Sequence, residues 1–208
     1  MLRRFSTADV DNLVRLDADP DVMRFVNGGV PTPRYEIEND LLPAFLAYYD
    51  RYEGFGFWAV IEKASGEFLG WFHFRPRPDA AAGEVELGYR LRKPAWGRGY
   101  ATEGSHALIA KGFTESGVQR VVAEAMTVNV ASRRVMEKAG LKLVRATARR
   151  CPIRLTATST LTSWGMRWTR PAGSRNRPTP PSSLYCSMPI LMRIASATSA
   201  KIDKYATP

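Results

Sequence analysis

Apolar residues recur along the first fifty positions at intervals of three and four, the spacing of one face of a helix. Val10, Leu13, Val14 and Leu16 form one such stripe behind Ser6-Thr7-Ala8-Asp9, which reads as an N-cap sequence. Asp19-Pro20-Asp21 restarts the helical pattern through Val22, Met23 and Phe25, and Asn27-Gly28-Gly29 stops it. A third stripe of Ile37, Leu41, Phe45, Leu46 and Tyr49 predicts a helix over 36–52 that Pro43 delays or kinks. A short strand over 2–5 precedes all three.

Beyond residue 55 the pattern changes. Phe57-Trp58-Ala59-Val60-Ile61-Glu62 and Phe68-Leu69-Gly70-Trp71-Phe72-His73-Phe74 flank a turn sequence, Lys63-Ala64-Ser65-Gly66-Glu67, and predict a β-hairpin. Glu84-Val85-Glu86-Leu87-Gly88-Tyr89-Arg90-Leu91 alternates polar and apolar side chains and predicts a third strand ending before Lys93-Pro94. Helices over 100–116 and 131–139 and strands over 120–126 and 141–144 complete the pattern. Helices flanking a mostly antiparallel sheet, with a strand-loop-helix-strand unit near the middle, define an α+β layered domain.

Composition bounds this picture. A chain of 208 residues with 45% hydrophobic content suffices for one domain with a real core and excludes a large multidomain machine. The longest apolar stretches, such as 41–49, are broken by Pro43 and fall short of the roughly 20 residues that span a bilayer. The opening residues carry no apolar signal core, so a cytoplasmic protein with no membrane partner is expected. The net charge of +10 would suggest a polyanion partner. Over 1–145, however, 20 basic residues face 19 acidic ones, whereas the last 63 residues hold ten basic and one acidic. Cys151 and Cys186 lie in that same tail without a CxxC spacing or a nearby histidine, so neither a disulfide framework nor a metal site is expected.

The most informative segment is Arg92-Lys93-Pro94-Ala95-Trp96-Gly97-Arg98-Gly99-Tyr100-Ala101-Thr102-Glu103. A strand delivers the chain to a tight loop with Gly97 and Gly99, after which an alanine-rich helix begins. Glycines there permit positive φ and close approach of the backbone, and the free N–H groups of a helix N-terminus favour a phosphate. The third glycine of a dinucleotide fingerprint is absent, and so is the Gly-Lys-Ser/Thr of a P-loop. Taken alone, a G-x-G is also an ordinary strand-to-helix turn.

In that context the sequence resembles the GNAT superfamily of N-acetyltransferases, and within it the ribosomal-protein alanine acetyltransferases of the RimJ/RimL type. The resemblance rests on Leu2-Arg3-Arg4-Phe5-Ser6, on Asp19-Pro20-Asp21-Val22-Met23-Arg24-Phe25, on Glu86-Leu87-Gly88-Tyr89 and on Trp96-Gly97-Arg98-Gly99-Tyr100-Ala101-Thr102-Glu103. Its last piece is Asn129-Val130-Ala131-Ser132-Arg133-Arg134-Val135-Met136-Glu137-Lys138-Ala139-Gly140-Leu141. It covers roughly 1–145 and implies a three-layer α/β/α fold around a splayed, mostly antiparallel sheet. It also implies acetyl-CoA as co-substrate, no metal, an amine acceptor (a protein N-terminus or a small molecule), and a monomer or homodimer.

The site residues follow from the same resemblance. The pyrophosphate is expected on the amides of Gly97, Arg98, Gly99, Tyr100, Ala101 and Thr102 beside Trp96, with Arg98 adding charge. The pantetheine arm is expected along Tyr89, Arg90 and Leu91 like an added strand, with Asn129 near it. Arg133, Arg134 and Lys138 either meet the adenosine phosphates or form a solvated helix face. Glu86 is expected as base or as substrate-orienting carboxylate, with Glu84 facing solvent and the amide of Leu87 or a neighbour polarising the thioester carbonyl. Many family members carry a tyrosine seven residues after the Asn. Here that position is Met136, which leaves Ser132 either as the donor to the leaving thiol or as a surface serine. His73 and His106 are expected to pack or to lie on the surface, and Trp58, Trp71, Phe72 and Phe74 to form core and a wall of the acceptor cleft. A non-catalytic acyl-CoA-binding or RNA-associated protein, and an inactive truncated transferase, are the rival readings.

After residue 145 serine, threonine, proline and arginine dominate and neither hydrophobic period persists. The resemblance calls there for a Pro/Asp/Gly-rich loop and a strand with an Asp-Val-x-Tyr-like motif, so the final strand is expected to be missing or altered. Reading the third base of each codon from Cys151 with the first two of the next permits PDPVDGYEHLDVVGYEV, the expected loop and strand. Two origins for 146–208 follow, a frameshift between about 145 and 151 or a genuine basic, low-order tail that binds RNA or acidic lipid. The frameshift predicts that DNA sequenced across codons 145–151 contains an inserted or deleted base relative to independent clones; an intact frame with the present codons in all of them removes it.

Overall fold

The computed structural model describes residues 1–78, 80–145 and 152–158. Its strands are β1 (Leu2–Arg4), β2 (Gly56–Ile61), β3 (Phe68–Pro76), β4 (Glu84–Leu91), β5 (Arg120–Met126), β6 (Lys142–Arg145) and β7 (Pro152–Thr158). They form one sheet in the order β1-β2-β3-β4-β5-β7-β6, antiparallel except where β4 meets β5. The helices are α1 (Val10–Asp17), α2 (Pro20–Asn27), α3 (Arg34–Glu36), α4 (Leu42–Arg51), α5 (Tyr100–Glu115) and α6 (Val130–Lys138). No helix among the described residues is long and apolar enough to cross a membrane.

Local chemistry explains where the helices start. Ser6 and Asp9 close a capping box ahead of α1, and Asp19 accepts the amide of Asp21 ahead of Pro20 at the start of α2. The expected effect of Pro43 takes the form of a π-helical turn, Ile37–Leu41, linking α3 to α4. There the amide of Leu42 reaches back five residues to Ile37, and the wider turn accommodates a proline that has no N–H for the helical ladder.

Strand alternation divides the core in two. On one face Phe57, Ala59 and Trp71 pack against Phe5, Leu13, Leu16, Ile37, Leu41 and Phe45, and Phe45 stacks on Phe57 with ring centroids 3.7 Å apart. On the other, Phe72, Phe74, Val85 and Leu87 meet Leu108, Ile109 and Met136 of α5 and α6. Helices thus cover both faces, giving the α/β/α layering.

Of the two outcomes expected for the final strand, missing or altered, the sheet shows the second. Residues 152–158 pair antiparallel with β5 on one side and β6 on the other. Ladder pairing needs main-chain donors and acceptors, and Pro-Ile-Arg-Leu-Thr-Ala-Thr supplies them with the alternation and β-branched content of a strand, although the expected motif is absent. The rest of the basic tail and both cysteines lie outside the described residues.

Phe45 is the side chain through which α4 grips the sheet, fully buried between Phe5, Phe57 and Trp71. Phe45→Ala is expected to lower unfolding stability by about 3–5 kcal/mol, read from urea denaturation.

Candidate functional site

Two strands that begin as neighbours and then part create the site. The amides of Gln119 and Arg120 both donate to the Gly83 carbonyl, at 2.9 and 3.1 Å, fixing the starts of β4 and β5 side by side. Their parallel pairing then covers only Glu84–Arg120, Val85–Val121 and Glu86–Val122. From Leu87 onward β4 keeps β3 as its partner, while β5 continues to Met126 against β7. The expected splay is therefore present, and it leaves the stretch of β4 containing Tyr89, Arg90 and Leu91 without a β5 partner.

At the end of β4 the chain passes through Trp96, Gly97, Arg98 and Gly99 into α5. Gly97 and Gly99 have φ of 72° and 87°, and a Cβ on either would have no neighbour within 4 Å. Left-handed backbone, not crowding by the protein, makes glycine necessary here, and open space remains above the loop. The first helical bond runs from Glu103 to Gly99. The amides of Tyr100, Ala101 and Thr102 therefore point into that space without a helical acceptor. Trp96 is half exposed, and its indole N–H donates to the Leu91 carbonyl at 2.8 Å, which fixes the lip of the loop.

The charged residues are less available than the sequence suggests. Arg98 pairs with Glu62 at 2.8 Å and lies over the Tyr100 ring, and the Tyr100 hydroxyl donates to the same carboxylate. Hydrogen bonds from Tyr100 and Ser65, with the Arg98 charge, hold the Glu62 carboxyl below its usual pKa. Arg90 is buried in an ion pair with Asp17 at 2.5 Å, and Thr32 donates to the other Asp17 oxygen. The Arg90 side chain is committed to the core, and only its main chain can serve a ligand. Glu84, expected in solvent, is instead buried 3.3 Å from Arg120.

Glu86 shares its sheet face with His73 and Arg75 of β3, the cross-strand partners of Gly88 and Glu86. Arg75 donates to Glu86 at 3.1 Å, and His73 Nε2 lies 3.7 Å from the same carboxylate oxygen. Burial, with the Arg75 and Arg90 charges nearby, holds the His73 pKa well below its ordinary value, so the ring is neutral. Both ring nitrogens are buried without a hydrogen-bond partner, an unusual cost for a polar group. The ring occupies the space over Gly88, where a Cβ would fall 2.4 Å from it. The Glu-x-Gly-Tyr spacing thus encodes a flat seat for a histidine fifteen residues earlier. Sequence reasoning placed His73 in the packing and did not bring Arg75 to the site; alternation within the hairpin carried the only signal.

On the opposite face, Tyr89 reaches across to α6. Its hydroxyl lies 3.1 Å from the Ser132 carbonyl and 3.0 Å from the Ser132 hydroxyl, and Asn129 caps α6 by accepting the Ser132 amide at 3.0 Å. Tyr89, Asn129 and Ser132 are therefore together, and Leu87 is buried in the core on the same face of β4. Burial pushes the Tyr89 pKa up to about 12, against a smaller opposing effect of the Ser132 hydrogen bond. Met136 is buried in the core. Arg133 donates to the Thr127 carbonyl, and His106 Nε2 lies 2.8 Å from the Lys138 carbonyl on the surface. Among the described residues no group of three or more His, Cys, Asp or Glu side chains converges on a metal-sized site.

An exposed main-chain edge leading to a cradle of free amides fits a ligand that carries peptide-like amides on one end and phosphates on the other. Comparison with known proteins agrees with that geometry. Residues 1–142 match the family model of the acetyltransferase (GNAT) domain. Over 137 residues the chain is 35% identical to the FsC-acetyl coenzyme A-N(2)-transacetylase of Aspergillus fumigatus, a match covering 62% of this chain and 56% of that protein. The chain thus spans little more than half the length of that relative. A GnaT-family acetyltransferase from Bordetella pertussis superposes with a TM-score of 0.61 at 26% identity, over 74% of this chain and 93% of that one. The fold is also that of the aminoglycoside acetyltransferase AAC(6')-Ib, solved in complex with coenzyme A, at TM-score 0.61 and 18% identity over 76% of this chain and 94% of that one. The chain belongs to the GNAT acetyltransferase family.

Proposed function

We propose that the protein transfers an acetyl group from acetyl-CoA directly to a primary amine, on a protein N-terminus or a small molecule. The observation that carries this reading is the splay of β4 from β5, with the glycine loop and the open amides of residues 100–102 on one side and Glu86 on the other. Bound acetyl-CoA supplies an acyl group already activated as a thioester. The amides of 97–102 would hold its phosphates, the β4 edge at 89–91 its amide-bearing arm, and Asn129 and Ser132 would flank that arm from α6.

Glu86 removes a proton from the acceptor ammonium, directly or through a water, so that a neutral amine can attack. Arg75 fixes the direction of the carboxylate, and neutral His73 fills the space behind it without adding charge. The amide of Leu87 or a neighbour on the unpaired stretch donates toward the thioester oxygen. The N(2)-transacetylase and aminoglycoside acetyltransferase relatives carry amine acceptors in their names, which supports an amine here.

Calorimetric titration with acetyl-CoA, followed by thiol release against a panel of amines and N-terminal peptides, tests the reading. Glu86→Gln is expected to bind acetyl-CoA normally and to lose about 10²- to 10⁴-fold in turnover. Binding by the wild type with no turnover on any amine would favour a non-catalytic acyl-CoA-binding protein. Gly88→Ala drives a methyl into the His73 ring and is expected to cost about 1–3 kcal/mol of stability. His73→Ala in the same chain should recover part of that loss, a coupling measured by a double-mutant denaturation cycle.

A further inference from the structure

Packing alone does not account for His73. The ring is 7% exposed and lies against Phe57 and Trp71, where an apolar side chain would leave no polar group unmet. A neutral imidazole carries one N–H to donate and one nitrogen to accept, and neither finds a partner. An unpaired polar group is costly where water does not reach it. Such a residue makes sense beside a group that acquires a hydrogen bond to offer during the reaction.

Glu86 is that neighbour. As a carboxylate it only accepts, and Arg75 supplies a donor 3.1 Å from Oε2. Once it holds the ammonium proton it carries an O–H and needs an acceptor. The charged groups around it cannot serve. Arg75 of β3 and Arg90 of β4 have donors alone, and both oxygens of Asp17 on α1 are taken, one by Arg90 and one by Thr32. The hydroxyl of Tyr48 on α4, over whose ring Arg75 lies, is directed at the Pro76 carbonyl. His73 Nε2 lies 3.7 Å from the oxygen that Arg75 holds. That is beyond a hydrogen bond in the ionised state, and the soft terminal torsion of a glutamate side chain closes such a gap once there is a proton to share.

Resting on the functional reading above, we propose that His73 is the positioning residue that completes the base, its Nε2 accepting the hydrogen bond of Glu86 once that carboxyl has taken the acceptor's proton. The proton moves from the ammonium nitrogen to Glu86, the electron pair of that N–H bond stays on nitrogen as the attacking lone pair, and the ring remains neutral with its own proton on Nδ1. A bond that only the protonated carboxyl can form strengthens its hold on the proton, and so offsets Arg75, which favours the charged form. Neutrality of the ring is the condition for this. Burial, with the Arg75 and Arg90 charges, holds the His73 pKa well below its ordinary value, whereas an imidazolium would have no lone pair to offer. Gly88 is the structural counterpart, because a side chain there would displace the ring from its seat beside Glu86.

The test reads the titration of Glu86 in the free protein, where no acceptor is needed. Carboxyl-carbon NMR gives the midpoint, with the Glu86 resonance identified by its loss in Glu86→Gln. His73→Phe keeps a flat ring over Gly88 and removes the accepting nitrogen. It should move the midpoint down by about one pH unit, a tenfold loss of proton affinity, carry the acid limb of kcat/KM down with it, and lower kcat by about tenfold. His73→Gln, whose amide oxygen can accept, should restore most of each change. A purely structural role would cost stability and leave midpoint and limb where they were. In the wild type, which needs no variant to fold, the nitrogen NMR signal of His73 Nε2 should shift with the same midpoint as Glu86 while remaining that of an unprotonated nitrogen. A midpoint unchanged or raised in folded His73→Phe, or an Nε2 that carries a proton while Glu86 titrates, overturns the assignment. A wild type that acetylates no amine defeats the functional reading, and the hydrogen bond between Glu86 and His73 still stands or falls by the titration.

Discussion

Everything at the site depends on the brevity of one strand pairing. Three residues of β4 are laddered to β5, and the next five are not. An unpaired strand edge inside a sheet is costly because its N–H and C=O groups need partners. The structure contains that cost instead of removing it. β5 is drawn toward β7, Trp96 satisfies the Leu91 carbonyl, and Tyr89 ties the open stretch to α6. What remains unpaired is a short run of main chain that suits a ligand with amides of its own.

The two faces of β4 divide the chemistry. One face carries charge, with Glu84, Glu86 and Arg90 each paired to a partner on another element. The other carries the apolar residues that seat α5 and α6, with Tyr89 as its polar exception. The Glu86 carboxylate and the Tyr89 phenol therefore sit on opposite sides of a single strand. Strand alternation alone separates the carboxylate from the phenol.

Much of this was legible in the sequence, because the signals were local. The hairpin, the glycine loop and the Asn129 cap each follow from residues within a few positions of one another. Legibility failed where the partner is distant. Nothing near Arg90 in the sequence announces its buried pair with Asp17, seventy-three positions earlier. Arg98 looked free for a phosphate until Glu62 was found beside it, and Glu84 looked solvated until Arg120 covered it. His73 packs, one of the two places expected for it, but its seat could not be read because it is set by Gly88, whose missing side chain is an absence. Of the two outcomes expected for the closing strand, missing or altered, the second holds, because the ladder requires main chain and not a side-chain motif.

The ion pairs also differ in what they permit. Arg98–Glu62 belongs to the glycine loop, and Arg92–Glu67 and Lys93–Asp21 to the segment that leads into it. Arg98 is itself exposed and its pair with Glu62 is screened by solvent, so the guanidinium can exchange partners while Glu62 keeps the hydrogen bonds of Tyr100 and Ser65. Breaking the buried Arg90–Asp17 pair would leave an uncompensated charge and cost about 3–5 kcal/mol, beyond what one phosphate contact returns. The near-neutral charge over 1–145 is therefore compatible with an anionic ligand. The cations nearest the open amides are held loosely enough to exchange partners, and the one held tightly is turned to the opposite face of the strand.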